Sequence, residues 1–221
     1  MLRRSVLASL QQANQTLGTV KPGWRLKLYD ALRPNAVQSF MVWREFLLQA
    51  QLDLSLSASL GSLQECLNHA ELANLHPDLY ALLAPRVFKF WGVPSDNPAT
   101  PPPHSTGAAV DLTLENEFGN EVDMGCPVDE LSDRARPDFF DIRIRLLGEI
   151  ALKPISFTLN PNFNVQFSGA RELLYLVMGS AGFKQHPGEW WHFSKGDQMW
   201  AWLGGGNTAI YGNASTFKPI K

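Results

Sequence analysis

The chain has 221 residues, 45% of them hydrophobic and 18% charged, with a net charge of −2, proportions that fit one globular domain spanning 1–221 with a substantial core. No Lys/Arg run exceeds a dipeptide, and residues 111–141 hold ten of the 21 carboxylates against only Arg134 and Arg136. A phosphate-binding surface has the opposite bias, which excludes nucleic acid as a partner, and no stretch approaches 18 consecutive apolar residues, which excludes a membrane span.

Along the chain, the start "MLRRSVLASLQQ" resembles a signal peptide weakly: a basic pair precedes a short apolar run. The run from Ser5 to Leu10 is too short for a secretory h-region and turns polar at Gln11. Two cysteines, Cys66 and Cys126, are too few for a disulfide framework and point to a reducing compartment. The expectation is a cytoplasmic protein, with the periplasm as the alternative should the weak signal be real. "LYDALRP" reads as a strand end broken by Pro34. Residues 35–50 carry Val37, Phe40, Met41, Leu47 and Leu48 at helical spacing, with Asn35 as N-cap. Residues 61–84 read as two short helices divided at His76-Pro77, and "VPSDNPATPPPHS" is a proline-rich loop.

From Ala108 the pattern alternates: Ala108, Val110, Leu112 and Leu114 face one way, and Ala109, Asp111 and Thr113 the other. That predicts a half-buried strand with a carboxylate on its non-core face. "FFDIRIRLLGEIA" predicts a helix followed by an irregular Asn/Pro segment. "GARELLYLVMGSAGF" predicts another, closed at Gly182 by a glycine C-cap. "EWWHF" reads as a strand followed by a polar, Gly-rich tail. Strands and helices in this order point to an α+β fold, an antiparallel sheet flanked by helices.

Of five histidines, His69 and His76 read as surface residues, and His186 has no partner nearby in sequence. His104 opens "HSTGAAVD" where a loop becomes a strand, with Asp111 seven residues on; His192 follows Glu189 by three. Two imidazoles and a carboxylate form a typical catalytic zinc shell, with the fourth position left for a water whose pKa falls to about 7. A nearby carboxylate, Glu189, can then act as general base. The spacing alone is common and fits a structural role as well. On a regular strand, residues three apart face opposite sides, so both groups reach one ion only if Pro187-Gly188 bends the chain before the strand begins. Trp191 and Phe193 then pack into the core as scaffold.

These motifs resemble those of the D-alanyl-D-alanine dipeptidases, zinc peptidases sharing a fold with D,D-carboxypeptidases and the Hedgehog domain. "PPHSTGAAVD" at 102–111 is similar to the family's Ser-x-His-x-x-Gly-x-Ala-x-Asp, and "EWWH" to its Glu-x-x-His with paired tryptophans. "YDALRP" at 29–34 looks like its Asp-x-x-Arg-Pro element, and "DMGCPVDE" at 123–130 like the segment after the zinc strand. The resemblance implies one zinc ion on His104, Asp111 and His192, with Glu189 as base. It implies Arg33 as oxyanion stabiliser and Asp129 as anchor for the free ammonium of a small dipeptide substrate. Read without the family, Arg33 pairs simply with Asp30 and Asp129 is a solvated loop acid. Pro102 stands where the family has Ser, which removes a hydroxyl near the substrate's amine end. Residues 137–167 look like an insertion, and only 28 residues precede Tyr29, fewer than the family usually has. Cys126 replaces a frequent Thr and reads as inert, with no basic residue adjoining it. The implied reaction is hydrolysis of D-Ala-D-Ala. Its rivals are a D,D- or L,D-carboxypeptidase acting on peptidoglycan stem peptides, and a non-catalytic zinc- or ligand-binding module.

Overall fold

A computed structural model of the chain describes residues 1–141, 162 and 164–214. The helix expected over "FFDIRIRLLGEIA" and the segment after it fall almost wholly outside these residues. The described residues form an antiparallel sheet with helices around it. Its strands, β1 (Arg25–Asp30), β2 (Ala109–Glu115), β3 (Lys184–Gln185) and β4 (His192–Ser194), lie in the order β1-β2-β4-β3. The α+β expectation holds.

Two helices pack on one side of the sheet. The first, α1 (Arg4–Val20), buries Val6, Ala13 and Leu17. They meet Val110, Leu112 and Leu114 of β2 and Leu174, Val177 and Met178 of the helix Val165–Ser180. The spacing of three and four residues makes each helix apolar on the covered stripe alone. Each such fully buried aliphatic side chain contributes about 1.5–3 kcal/mol, so this layer stabilises the platform on which polar groups can be buried at a cost. The alternation read from Ala108 onward is therefore real. The strand is not half-buried, however: every residue from Ala109 to Leu114 is buried. Neighbouring strands flank β2, and the 3-10 turn Pro103–Thr106 folds against it.

A second apolar cluster forms between α2 (Asn35–Leu52), α3 (Leu60–Gln64), α4 (His69–Leu75) and α5 (Pro77–Val87). The boundary at His76-Pro77 is as read, but three short helices stand where two were expected. The buried stripe of α2 is Gln38, Val42, Phe46 and Ala50, joined by Glu45, whereas Val37 and Phe40 are exposed. Apolar residues lie nearly all round this helix, so counting them does not select a face. Asn35 is not the cap either: it accepts from Ser95 N–H at 3.0 Å and donates to Asp96 at 2.7 Å, tethering the proline loop. His69 is half-buried against Phe46, ring centroids 6.1 Å apart, and is thus a packing residue. The helix Val165–Ser180, α6, is capped by Asn164, which accepts from Gln166 and Phe167 N–H, and Gly182 follows it at φ 86°. The supposed Gly-rich tail contains a further helix, α7 (Gln198–Leu203), capped by Asp197.

One glycine is required by both conformation and space. Gly125 adopts φ 84°, and a Cβ there would overlap the rings of Phe140 and Phe167. Gly125→Ala is expected to cost about 2–4 kcal/mol, from left-handed backbone strain plus overpacking. Urea unfolding monitored by tryptophan fluorescence checks this, and an unchanged midpoint contradicts it.

Candidate active site

The sheet register assembles the centre. Asp111 of β2 pairs directly with His192 of β4 on one side and with Asp30 of β1 on the other. Directly opposed antiparallel residues share a face, so residues 81 positions apart meet side by side. His104 arrives from the 3-10 turn Pro103–Thr106. That turn is fastened to the segment after β1: Arg33 N–H donates to His104 O at 3.3 Å, and the Ser105 hydroxyl to Arg33 O at 2.9 Å.

The three side chains converge. His104 Nε2 lies 3.0 Å from Asp111 Oδ2, His192 Nδ1 lies 3.0 Å from Asp111 Oδ1, and the two ring nitrogens are 3.1 Å apart. All three residues are buried, and one donor atom from each lies within 4.8 Å of the others. The outer nitrogen of His104 donates to the Ala31 carbonyl at 2.9 Å. A carbonyl only accepts, so Nδ1 carries the proton and the Nε2 lone pair of the neutral ring faces Asp111. Burial works against charge on Asp111 and on His192. Their mutual attraction outweighs it: the imidazoles hold the Asp111 carboxyl far below the ordinary range, and Asp111 raises the His192 pKa to about 9. Two buried imidazoles converging on one buried, ionised carboxylate form a donor set that fits a divalent cation.

Glu189 sits at the bend foreseen at Pro187-Gly188. Its N–H donates to His186 O at 3.3 Å, and Trp190 N–H donates to Ala135 O at 2.9 Å, so the strand proper begins only at His192. "EWWHF" is therefore not all strand; Trp190, Trp191 and Phe193 are core. The Glu189 carboxylate comes 3.8 Å from His192 Nδ1. Burial raises its pKa to about 7, with the charge of Asp111 pushing the same way and His192 opposing.

Arg33 pairs with Asp30 through Nε at 2.7 Å, as the simple reading held, but it also reaches 3.6 Å from Asp111 Oδ2. Gln38, unnoticed in the sequence, accepts from Arg33 Nη1 at 2.7 Å and donates to Gly92 O at 2.7 Å. It thereby ties the guanidinium to the loop that carries Trp91, whose ring lies 5.8 Å from it. One cavity is lined by His104, Asp111, His192, Glu189 and Arg33, and Asp129 joins them from an exposed rim position, at φ 64°, a left-handed conformation that Asp tolerates better than most residues. The protein around it, and then the charge of Asp111, push its carboxyl pKa upward. Arg171 holds its loop by donating to Met124 O at 2.8 Å and Arg134 O at 2.9 Å.

His186 was also missed. Its Nδ1 accepts from Gly188 N–H at 3.0 Å, and its ring stands 5.6 Å from that of His192 in the cavity wall. Burial, then the neighbouring His192, lowers its pKa to about 4. The partner lies just across the β3–β4 pairing, and β3 was not read as a strand in the sequence. Cys126 does have a basic neighbour, Arg171 Nη2 at 3.4 Å, yet burial raises its pKa, in keeping with an inert thiol. Pro102, in the place of the family Ser, lines the cavity.

A family model described as D-ala-D-ala dipeptidase matches residues 2–144 and 156–206. The chain belongs to that family. The dipeptidase match breaks at 145–155, inside the stretch read as an insertion. A D-alanyl-D-alanine dipeptidase of Synechocystis sp. is 42% identical over 202 residues, covering 91% of this chain and 72% of the relative. One of Escherichia coli is 33% identical over 90 residues, 41% of this chain and 36% of the relative. The expectation of a metallopeptidase of the dipeptidase family is met, with a buried His–Asp–His metal-binding group. Among the described residues, no helix is long and apolar enough to cross a membrane.

Proposed function

We propose that this dipeptidase hydrolyses free D-Ala-D-Ala, or a related D,D-dipeptide, to two amino acids, using one zinc ion held by His104, Asp111 and His192. The observation that carries the reading is a single cavity lined by that triad, Glu189, Arg33 and Asp129. Its volume, about 210 Å³, lies below the range of about 300–1,000 Å³ typical of pockets for drug-sized ligands, which favours a small substrate. The whole chain, 1–221, acts as one catalytic domain in this reading. The free thiols of Cys66 and Cys126 support a cytoplasmic location.

Zinc, when bound, supplies Lewis acidity to the scissile carbonyl and to water. Glu189, at the bend before β4 and lining the cavity, takes the proton of the attacking water and returns it to the leaving amine. Arg33, held in place by Asp30 and Gln38, presents a fixed cation to the developing oxyanion. Asp129 pairs with the substrate ammonium, and an acylated amine would leave that carboxylate unmatched. The anchor separates this reading from a carboxypeptidase, which takes N-acylated substrates.

Amino-acid release from D-Ala-D-Ala and from N-acetyl-D-Ala-D-Ala, with and without a chelator, tests it. Cleavage of the free dipeptide alone, abolished by the chelator, is expected. Cleavage of the acetylated substrate moves the protein to the carboxypeptidases, and no cleavage of either with metal bound leaves the binding module.

A further inference from the structure

We propose that Trp91 is the wall that limits which side chains the cavity accepts, and that Gln38 sets the position of this wall relative to Arg33. The inference rests on the dipeptidase reading above and adds to it the residues that select the substrate. Five consecutive residues, 88–92, line the cavity that holds the metal-binding triad, Glu189 and Arg33. They follow directly on α5, and Phe88 and Trp91 pack against the second apolar cluster. The helices α2 to α5 thereby build one side of the site, although no member of the triad lies on them.

The Trp91 ring is placed by its surroundings and not by its own polar atom. Its indole Nε1–H is buried and meets no acceptor among the described residues. A buried indole N–H usually finds one, so this ring relies on packing and on the backbone to either side of it. On one side Trp91 N–H donates to Val87 O at 3.0 Å, which prolongs the last turn of α5. On the other the Gly92 carbonyl accepts from Gln38 Nε2 at 2.7 Å. Between these two ties the ring lies 5.8 Å from the Arg33 guanidinium, within range of a cation–π attraction.

Gln38 has the chemistry this bridge needs. It belongs to the buried stripe of α2, is 3% exposed, and meets a donor at one atom and an acceptor at the other. Arg33 Nη1 donates to its Oε1 at 2.7 Å, so one amide fixes both the guanidinium and the loop. A guanidinium cannot accept and a peptide carbonyl cannot donate, so joining them takes a side chain that does both. The aromatic wall therefore stands at a set distance from the cation that meets the scissile carbonyl. In a cavity of about 210 Å³, that leaves room beside the reacting bond for small side chains.

The test compares kcat and KM for D-Ala-D-Ala, D-Ala-D-Phe and D-Phe-D-Ala on the full zinc-loaded chain, with urea midpoints alongside. The wild type is expected to prefer D-Ala-D-Ala over at least one of the bulkier dipeptides by about 10-fold or more, the least effect of a misfit in an apolar pocket. Trp91→Ala is expected to remove most of that preference, and Trp91→Phe, the milder change should the first not fold, to remove part. Gln38→Met keeps the length and loses both hydrogen bonds. It is expected to weaken the preference and also to lower kcat on D-Ala-D-Ala by up to about 100-fold, as a misplacement of about 1 Å does. Gln38→Asn, one methylene shorter, repeats that measurement should Gln38→Met not fold. Combined with Trp91→Ala, Gln38→Met is expected to weaken the preference no further, because both act through one wall. An unchanged preference in folded Trp91→Ala and Trp91→Phe overturns the wall, as does a wild type that cleaves all three dipeptides alike. An unchanged preference in Gln38→Met with a lower urea midpoint makes Gln38 a packing residue and overturns the coupling. A zinc-loaded wild type that cleaves none of the three overturns the dipeptidase reading itself, a result distinct from the others.

Discussion

Glu189→Gln is expected to lower kcat on D-Ala-D-Ala by about 10²–10⁴-fold, the range lost with a general acid–base group, while zinc affinity stays unchanged. The separation follows from the geometry. The Glu189 carboxylate lies 3.8 Å from His192 Nδ1, outside the contacts of about 3 Å that join His104, Asp111 and His192. Glutamine keeps its size and most of its hydrogen bonding but can neither take nor return a proton. Burial raises the Glu189 pKa, so its ionised form is held against a desolvation cost that the neutral amide does not meet. The variant should therefore be no less stable than the wild type. Single-turnover kinetics together with bound-zinc analysis decide the point. Full activity with zinc in place would remove Glu189 from the chemistry.

Asp111→Asn should fail differently, losing the metal and the activity together. The aspartate is 3% exposed and holds both imidazoles at 3.0 Å, with Arg33 Nη2 at 3.6 Å. Its replacement keeps the shape but takes the only anion of the triad away from a buried cationic centre. A loss of zinc affinity greater than about 100-fold is expected, beyond the upper range for outer partners. Zinc content after dialysis against a chelator measures it, and stoichiometric retention would exclude Asp111 as a ligand. Excess zinc should restore part of the activity here and none in Glu189→Gln, so the pair distinguishes holding the metal from moving the proton.

Much of this centre was legible before any coordinates. The alternation over 108–114 placed Asp111 opposite the core residues because side-chain direction in a strand has a fixed period of two. The Pro187-Gly188 break located Glu189 correctly, since a spacing of three cannot serve one ion on an unbroken strand. What could not be read depended on how the elements pack against one another. The polar face of β2 seemed open to water, but the turn Pro103–Thr106 just before the strand folds back against it and strands flank it on both sides. His186 seemed partnerless because its neighbour is delivered by strand pairing, and Gln38 was hidden in a helix whose apolar residues surround it. The six-residue α7 was lost in a polar tail, its cap Asp197 being the single local sign. The roles given to Arg33 and Asp129 came from the family resemblance; local patterning alone favoured an ion pair and a solvated acid.

The metal-binding triad also has a temporal meaning. His104 and His192 are 88 residues apart, and His192 is the last of the three in chain order. Chains are synthesised from the N-terminus and domains fold as units, so His192 leaves the ribosome after the other two donors. Until it pairs with Asp111, a nascent chain offers this group one imidazole and one carboxylate. Metal capture is thereby deferred until β4 has joined the sheet. An ion then bound to the native state alone shifts the equilibrium toward that state. A chain that stops before His192 lacks one of the three donors and cannot complete the group.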